Sequence, residues 1–447
     1  MVLSHANITS NDKDLIELKL DKYWRQSKNG KVSFNHVLLA QDIVNQIPFI
    51  WVYEELYYYE NGVYKRSGRD KVSAIVQSVL GEEYTKARKM EIIDWIETYA
   101  KRKDVRVNGD SNIINLKNGI YDIEKKQLIP HSHKYYTTIQ IPVKYDKEAQ
   151  CPKINDFLLS VVPLDSVDFV FEWFGFSLLT EYKFNRALML YGTGGNGKSI
   201  FISLYNKFLG EENVSSVDLY NLEENRFAPS MLLNKLANTF ADIDSRFLEK
   251  SSMIKSLTGR DRVFAEYKNR MPFSFENFAK LTFSANKLPS FKDTSEGNFR
   301  RWMILTFPNK FVEGKNANGS ILEEITTEEE LSGLLNWALS GLHHLLKNRG
   351  FTIGETMQDA INNWQQTTDN VKQFIEDACV VDEKYRVEKK LIYREYQYWC
   401  KDNGYKSLNM KNFYDRMEHH GYIAKQSNSK TYGRKHHFLG IDLPPRN

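Results

Sequence analysis

Eight residues in the middle of the chain carry the clearest chemistry: Gly192-Thr193-Gly194-Gly195-Asn196-Gly197-Lys198-Ser199, which reads G-x-x-x-x-G-K-S. That spacing makes a phosphate-binding loop. Glycines let successive backbone N–H groups turn toward one phosphate chain. Lys198 then reaches the outer phosphates, and the Ser199 hydroxyl ligates Mg2+. Downstream, Asp242 and Asp244 close the run Ala237-Asn238-Thr239-Phe240-Ala241-Asp242-Ile243-Asp244. Side chains two apart on a strand share a face, so both carboxylates would serve one site. Phosphoryl transfer uses one acid on the metal and another to orient or deprotonate the attacking water. Asp242 is assigned to Mg2+ and Asp244 to the water, with exchange of the two roles left open. Asn286 offers an amide that can hydrogen-bond the γ-phosphate or the water. Arg300 and Arg301 are adjacent guanidinium groups of the kind that neutralise developing phosphate charge, often across a subunit boundary.

Each of these groups needs an element to hold it. The apolar run Ala187-Leu188-Met189-Leu190-Tyr191 predicts a buried strand into the loop, and apolar spacing over 200–209 predicts a helix out of it. Lys280-Leu281-Thr282-Phe283-Ser284-Ala285 predicts a second buried strand, ending at Asn286. Residues 262–275 have apolar ends and a Lys268-Asn269-Arg270 tip, which predicts a hairpin projecting two cations. Residues 165–180 place aromatics at helical spacing and suit a packing collar over 151–186. Thr327-Glu328-Glu329-Glu330 has capping-box spacing and Gly350 follows a basic last turn, so a helix over 331–346 is expected as a small cap. His343 and His344 on it read as packing or surface residues. Upstream, Asn61-Gly62 and Asn118-Gly119 predict tight hairpins, and 71–80 and 87–99 predict amphipathic helices. His131-Ser132-His133 with Tyr135 and Tyr136 lacks the apolar residue a metal-dependent nicking site places between its histidines. It reads as a solvated loop.

Bulk composition narrows the class. The chain of 447 residues is 41% hydrophobic and 26% charged, as packed soluble domains are. A net charge of +4 is too mild to imply nucleic acid by itself. Charge is concentrated near the C-terminal end instead. There Lys406, Lys411, Arg416, Lys425, Lys430, Arg434 and Lys435 stand against only Asp415 and Glu418. Helices over 371–379, 389–401 and 409–419 and strands near 422–425 and 437–439 predict a winged helix-turn-helix whose third helix can enter a major groove. Cys151, Cys379 and Cys400 are far apart and form no metal-ligand spacing, so a reducing cytoplasm is expected. Residues 1–13 lack a signal-peptide core. The apolar stretch 169–179 is interrupted by Glu172 and is too short to span a bilayer, so no membrane partner is expected.

The order of these motifs resembles the superfamily 3 helicases of the AAA+ class. It is closer still to the family shared by poxvirus-type primase-helicases and the C-terminal part of phage and plasmid primases. The likeness runs through the loop 192–199, Asp242 and Asp244, the stretch 255–261, Asn286, and Arg300 with Arg301. It implies an α/β fold: an AAA+ P-loop NTPase core with a helical cap (187–365), an N-terminal mixed α/β accessory domain (1–150), a helical collar (151–186) and a C-terminal winged helix (366–447). It implies a ring, usually a homohexamer, with ATP and Mg2+ at subunit interfaces. Lys268, Asn269 and Arg270 would grip single-stranded DNA in the channel, and one of Arg300 and Arg301 would act in trans. The family often has Glu where Asp242 stands, which leaves the division of labour with Asp244 open. Asn286-Lys287-Leu288-Pro289 resembles a guanine-reading motif, but Pro289 replaces its carboxylate, so ATP is expected.

Together these features predict a cytoplasmic ATP-driven DNA helicase that initiates replication of a mobile genetic element. Duplex origin DNA would be bound through Lys411, Arg416, Lys425, Lys430, Arg434 and Lys435. An ATP-dependent origin-binding or loading protein without processive unwinding stays open, as does an ATPase stimulated by RNA. No primase constellation stands out, so primers are expected from a separate primase.

Overall fold

The computed structural model describes residues 20–444 apart from 27, 103, 244–246, 270, 294, 406 and 430–432. Near the N-terminal end, α1 (His36–Gln46), α2 (Gly68–Leu80) and α3 (Lys86–Lys101) enclose the antiparallel meander β1 (Phe49–Val52), β2 (Glu55–Glu60) and β3 (Val63–Lys65). Leu39, Ile43, Val72, Ile92 and Ile96 form its buried core. Asn61 and Gly62 between β2 and β3 have φ of 52° and 87°, the left-handed pair that an Asn-Gly turn supplies. The second expected hairpin forms differently. Strands β4 (Ile113–Leu116) and β5 (Gly119–Asp122) turn on Lys117-Asn118, and Gly119 pairs with Leu116 inside the ladder. A Cβ at Gly119 would sit 2.8 Å from the Ile129 carbonyl oxygen of β6 (Gln127–Ile129), so glycine serves close strand packing there. Ile114, Leu116, Ile139 and Ile141 join the central core and not the N-terminal one. The accessory region expected over 1–150 is therefore divided by its packing.

Helices α4 (Pro152–Val161) and α5 (Val167–Ser177) lead into the central sheet. That sheet contains β7 (Ala187–Tyr191), β8 (Val214–Ser215), β9 (Ala237–Phe240), β12 (Lys280–Ala285) and β13 (Trp302–Thr306), with α6 (Lys198–Leu209) directly after the glycine loop. Its order is β8-β9-β12-β7-β13 and every pairing is parallel. Parallel sheets are covered on both faces, which explains strands as apolar as Ala187 to Leu190. Leu188, Leu190, Met303 and Leu305 point to one face, under α6 and the aromatic side chains of α5. Ala187, Met189, Phe283 and Ile304 point to the other, over α7 (Ser252–Thr258).

The expected collar helix α5 is buried along nearly its whole length against α9 (Glu328–Asn348), which follows the short α8 (Ile321–Ile325). The two helices approach closely because glycines stand at their crossing. A Cβ at Gly341 would lie 2.6 Å from the Phe171 carbonyl carbon, and one at Gly175 would run into the Ala338 carbonyl. Thr327 caps α9 through the Glu330 N–H at 3.3 Å. The Glu330 carboxylate does not close a capping box. It accepts instead from the Lys153 and Ile154 N–H groups at the start of α4, at 3.3 and 3.0 Å.

Between β9 and β12, the antiparallel pair β10 (Arg262–Ala265) and β11 (Phe273–Glu276) forms the predicted hairpin, and Lys268 and Asn269 are exposed at its tip. After β13, α10 (Glu355–Thr368) inserts Ile361 and Trp364 into the sheet's core, with the indole N–H donating to the Pro289 carbonyl at 2.9 Å. Then follow α11 (Asn370–Ala378), β14 (Val380–Glu388), α12 (Lys389–Asp402), α13 (Met410–His419), β15 (Ala424–Ser429) and β16 (Gly433–Asp442). The three helices match expectation. The two-stranded wing is a three-stranded sheet of order β14-β16-β15, because β14 adds to the far edge of β16. Among the described residues, no helix is long and apolar enough to cross a membrane.

Candidate active site

The glycine loop leaves β7 and enters α6 at the carboxyl end of the sheet. Gly194, Gly195 and Gly197 have φ of 102°, 64° and 88°, a left-handed sequence that side chains with a Cβ resist. Space demands glycine as well. A Cβ at Gly197 would come 2.7 Å from Val161 of α4, and one at Gly192 would come 2.9 Å from the Phe307 carbonyl oxygen. The segment after β13 straps the loop down: the Phe311 N–H donates to the Gly195 carbonyl at 2.7 Å, and Asn196 Nδ2 donates to the Asn309 carbonyl at 2.7 Å.

Lys198, Asn286 and Asp242 form a connected row across three adjacent strands. Lys198 Nζ donates to the Gly192 carbonyl at 2.6 Å and to Asn286 Oδ1 at 3.0 Å. Asn286 Nδ2 then donates to Asp242 Oδ1 at 2.8 Å. The topology makes this possible, because β12, which ends one residue before Asn286, lies between β7 and β9. Lys198 is buried, and burial pushes its ammonium below the ordinary lysine range, with Asp242 opposing that shift. Its present acceptors are a peptide carbonyl and an amide, both neutral. A phosphate there would supply the negative charge that burial makes favourable.

One sequence expectation changes. The strand that was to carry Asp242 and Asp244 on one face stops at Phe240. Asp242 lies beyond it with φ of 57°, so period-two alternation does not set its direction. Its bond to Asn286 does. Asp244 lies outside the described residues.

The row opens into a cavity of about 710 Å3, within the range of small-molecule sites. Gly194 to Ile200, Asp242 and Asn286 line one side. Phe157, Ser160 and Val161 of α4, with Phe311 and Ile321, line the other. The apolar residues Phe157, Val161, Phe311 and Ile321 suit the flat face of a base, and the sequence reading missed them. Phe157 and Val161 are four apart on one helix face, a signal indistinguishable from ordinary core packing. The residues present fit a magnesium nucleotide: a glycine cradle, a buried ammonium held by neutral oxygens, the exposed Ser199 hydroxyl and a carboxylate. Among the described residues, no group of three or more His, Cys, Asp or Glu could hold a metal by itself. Magnesium that arrives with phosphate oxygens would be held by Ser199 and Asp242.

Other predicted residues are elsewhere. Arg300 and Arg301 precede β13 at the amino end of the sheet, and the five residues of β7 separate that end from the loop, a rise of roughly 16 Å. They do not reach the cavity of their own chain. Lys411 and Lys425 are exposed on α13 and β15. Arg434 and Lys435 lie on β16, while Arg270 and Lys430 lie outside the described residues.

Arg416 corrects the DNA-binding set. It turns inward, donates from Nε to Asp369 Oδ2 at 2.8 Å and makes a second, short bond from Nη2. His420 Nε2 meets the same oxygen at 2.8 Å. Asp369 is buried between α10 and α11, and its other oxygen caps α11 through the Lys372 N–H. Burial works to raise this carboxyl, but hydrogen bonds from His420 and Arg416 outweigh it and hold it well below the usual range. Arg416 is thus committed to the joint between the core and the C-terminal unit. The sequence could not reveal this, since Asp369 is 47 residues away.

Comparison with known proteins agrees with this layout. Residues 10–163 match the family model described as D5 N terminal like, and residues 366–439 match the one described as Poxvirus D5 protein-like. Residues 190–301, which hold the cavity row, match a family of unknown function, DUF5906. A putative helicase, L207/L206, of Acanthamoeba polyphaga mimivirus is 25% identical over 231 residues, 48% of this chain and 24% of that protein. The chain spans about a quarter of the length of that relative. Among solved structures, the A-form apo C-terminal region of NrS-1 aligns with a TM-score of 0.52 at 14% identity, covering 91% of this chain and 100% of that one. A second A-form structure of the same region gives 0.50 at 14% identity, covering 90% and 98%. At such identity the likeness concerns the fold. D5-type models on either side of the glycine loop and a viral helicase relative make the chain similar to phage and viral primase-helicases, and the NrS-1 region shares its fold.

Proposed function

We propose that this chain is an ATP- and Mg2+-dependent DNA helicase that initiates replication of a mobile genetic element. It would work as a homohexameric ring with an AAA+ core, in the cytoplasm of its host cell. The carrying observation is the row Lys198–Asn286–Asp242 at the carboxyl edge of the parallel sheet, beside a glycine cradle and above a nucleotide-sized cavity. Lys198 would exchange its neutral oxygens for those of the β- and γ-phosphates. Asn286 would orient the terminal phosphate or the attacking water, and Asp242 and Ser199 would hold Mg2+, with Asp244 in the water-orienting role. Bound magnesium neutralises charge on the phosphates as they separate.

The exposed Lys268 and Asn269, with Arg270, fit a hairpin tip that contacts one DNA strand. The C-terminal order helix, strand, two helices, two strands suits a winged helix. Its exposed Lys411 and Lys425, with Lys430, Arg434 and Lys435, suit duplex phosphates, and primers would come from a separate primase. Arg300 and Arg301, remote from their own cavity, suit action on a neighbour's nucleotide.

Strand displacement on a forked DNA tests this. The wild-type chain with ATP and Mg2+ is expected to separate the strands, Lys198→Ala to do neither chemistry nor separation, and Lys268→Ala to hydrolyse ATP without separating them. ATP-dependent DNA binding with no displacement would point instead to an origin-binding or loading protein. Stimulation by single-stranded RNA in preference to DNA would point to an RNA-directed ATPase.

A further inference from the structure

A second large cavity, of about 800 Å3, lies apart from the nucleotide cavity, between the N-terminal meander and the foot of the β10–β11 hairpin. Its lining includes Trp51 and Tyr53 from the β1–β2 turn, Arg106 from the chain after α3, and Arg260, Arg262 and Phe275 from the hairpin's foot. Tyr53 is out of place by local rules. Val52 pairs with Glu55, so Tyr53 and Glu54 make a two-residue turn, and their φ values are 53° and 59°. Both positions of such a turn favour Asn and Gly, because a Cβ in the left-handed region crowds the following carbonyl. The next turn of the same meander has Asn61-Gly62, whereas this one carries a bulky aromatic.

The strain holds an aromatic ring in the open. Tyr53 is 40% exposed, and its hydroxyl crosses to the core to donate to Asn234 Oδ1 at 3.2 Å. Strained backbone that fixes an exposed ring beside a cavity points to binding more than to packing. The charges name the class of ligand. Arg106 and Arg260 pair with Glu276 at 3.4 Å and Glu181 at 3.2 Å, but both arginines are more than half exposed, and such pairs exchange readily. Arg262 makes no ion pair among the described residues. The three arginines balance Asp104, Glu181 and Glu276 in the lining, and the rim adds Lys101 and Arg102 against Glu54. Exchangeable guanidinium forks beside ring faces suit a single-stranded polynucleotide, whose phosphates follow cations while its unpaired bases stack.

We propose that this groove is a second binding site for single-stranded DNA, with a base stacked on Tyr53 and the neighbouring phosphates held by Arg106 and Arg262. It rests on the DNA-directed reading above and adds a contact on the accessory unit, apart from the hairpin tip, where a strand passes the hairpin's foot. Either tail of a fork offers the groove the same unpaired bases and phosphates.

Single-strand binding tests the groove, read by the anisotropy of a labelled oligothymidylate without nucleotide. Tyr53→Gly is expected to weaken binding about tenfold with duplex affinity unchanged, because a stacked base must be unpaired. Its melting temperature is expected to equal or exceed that of the wild type, since glycine fits the turn. Tyr53→Phe keeps the ring and should bind as the wild type does. Arg106→Ala and Arg262→Ala should each lower the slope of log affinity against log salt by about 0.7. A fork carrying a photoreactive thymine in one tail or the other identifies the strand, and the peptide holding Trp51 and Tyr53 is expected to be labelled from one of them. Full affinity in Tyr53→Gly, loss of affinity in Tyr53→Phe, a clear drop in the melting temperature of Tyr53→Gly, or labelling from neither tail overturns the groove. Each of those results leaves strand separation and ATP turnover standing. A wild-type chain that binds no single-stranded DNA overturns the DNA-directed reading itself.

Discussion

Two lysines at opposite ends of the central sheet are both buried and have different duties. Lys198, at the carboxyl end, touches a peptide carbonyl and the Asn286 amide beside an open cavity. Lys280 begins the neighbouring strand at the amino end. Its ammonium donates to the Leu179 carbonyl and, at 3.0 Å, to the Glu181 carbonyl, and it lies 4.8 Å from the centre of the Phe176 ring. Lys280 thus satisfies main-chain carbonyls in the turn that follows α5, with no solvent nearby to replace it. Buried charge alone does not mark a functional site. The distinction is whether the partners are fixed main chain or exchangeable groups that face a cavity.

Substitution should separate the two. The largest effect is expected from Lys198→Ala: hydrolysis falls by about a thousandfold or more, while nucleotide-free melting changes little, read by phosphate release and calorimetry. Lys280→Ala should do the reverse. It leaves two carbonyls without a donor and opens a cavity, a loss of about 3 kcal/mol in denaturant unfolding. Equal loss of activity and stability in both variants would erase the contrast.

A third buried cation sharpens it. Arg416→Ala leaves Asp369 buried and poorly paired, at a cost of about 3 kcal/mol to the C-terminal unit, read by differential unfolding. The core's hydrolysis should persist. The pH dependence follows from Asp369, whose carboxyl is depressed in the folded state. Its contribution is complete above the unfolded carboxyl value of about 4 and is lost as pH falls below it. Asp369→Asn should flatten this acid limb of the stability curve. The smallest effects belong to cations that face solvent. Lys411→Ala and Lys425→Ala should each lower the slope of log affinity for duplex DNA against log salt by about one, with unfolding unchanged.

Arg416 and Lys411 show where sequence reading ends. Both looked equally available for phosphate, five residues apart in one basic segment. One is locked to Asp369 and the other is exposed. Local pattern served well for the glycine loop, both flanking elements, the hairpin at 262–276 and the three C-terminal helices, since each is encoded by neighbours along the chain. It failed for β14, whose partner strand lies more than forty residues away, and for the strand bearing Asp242, where a left-handed residue ends the alternation.

By itself, the sequence determined that a glycine loop of the phosphate-binding pattern sits between a buried strand and a helix, because glycine freedom, a lysine and apolar periodicity are properties of adjacent residues. Tertiary structure alone decided what meets that loop. Strand order brought Asn286 between Lys198 and Asp242, helix packing brought Phe157 and Val161 to the same cavity, and parallel pairing carried Arg300 and Arg301 to the far end. Those placements depend on which strands share hydrogen bonds and which faces are buried together, and that information is spread over residues far apart in the chain.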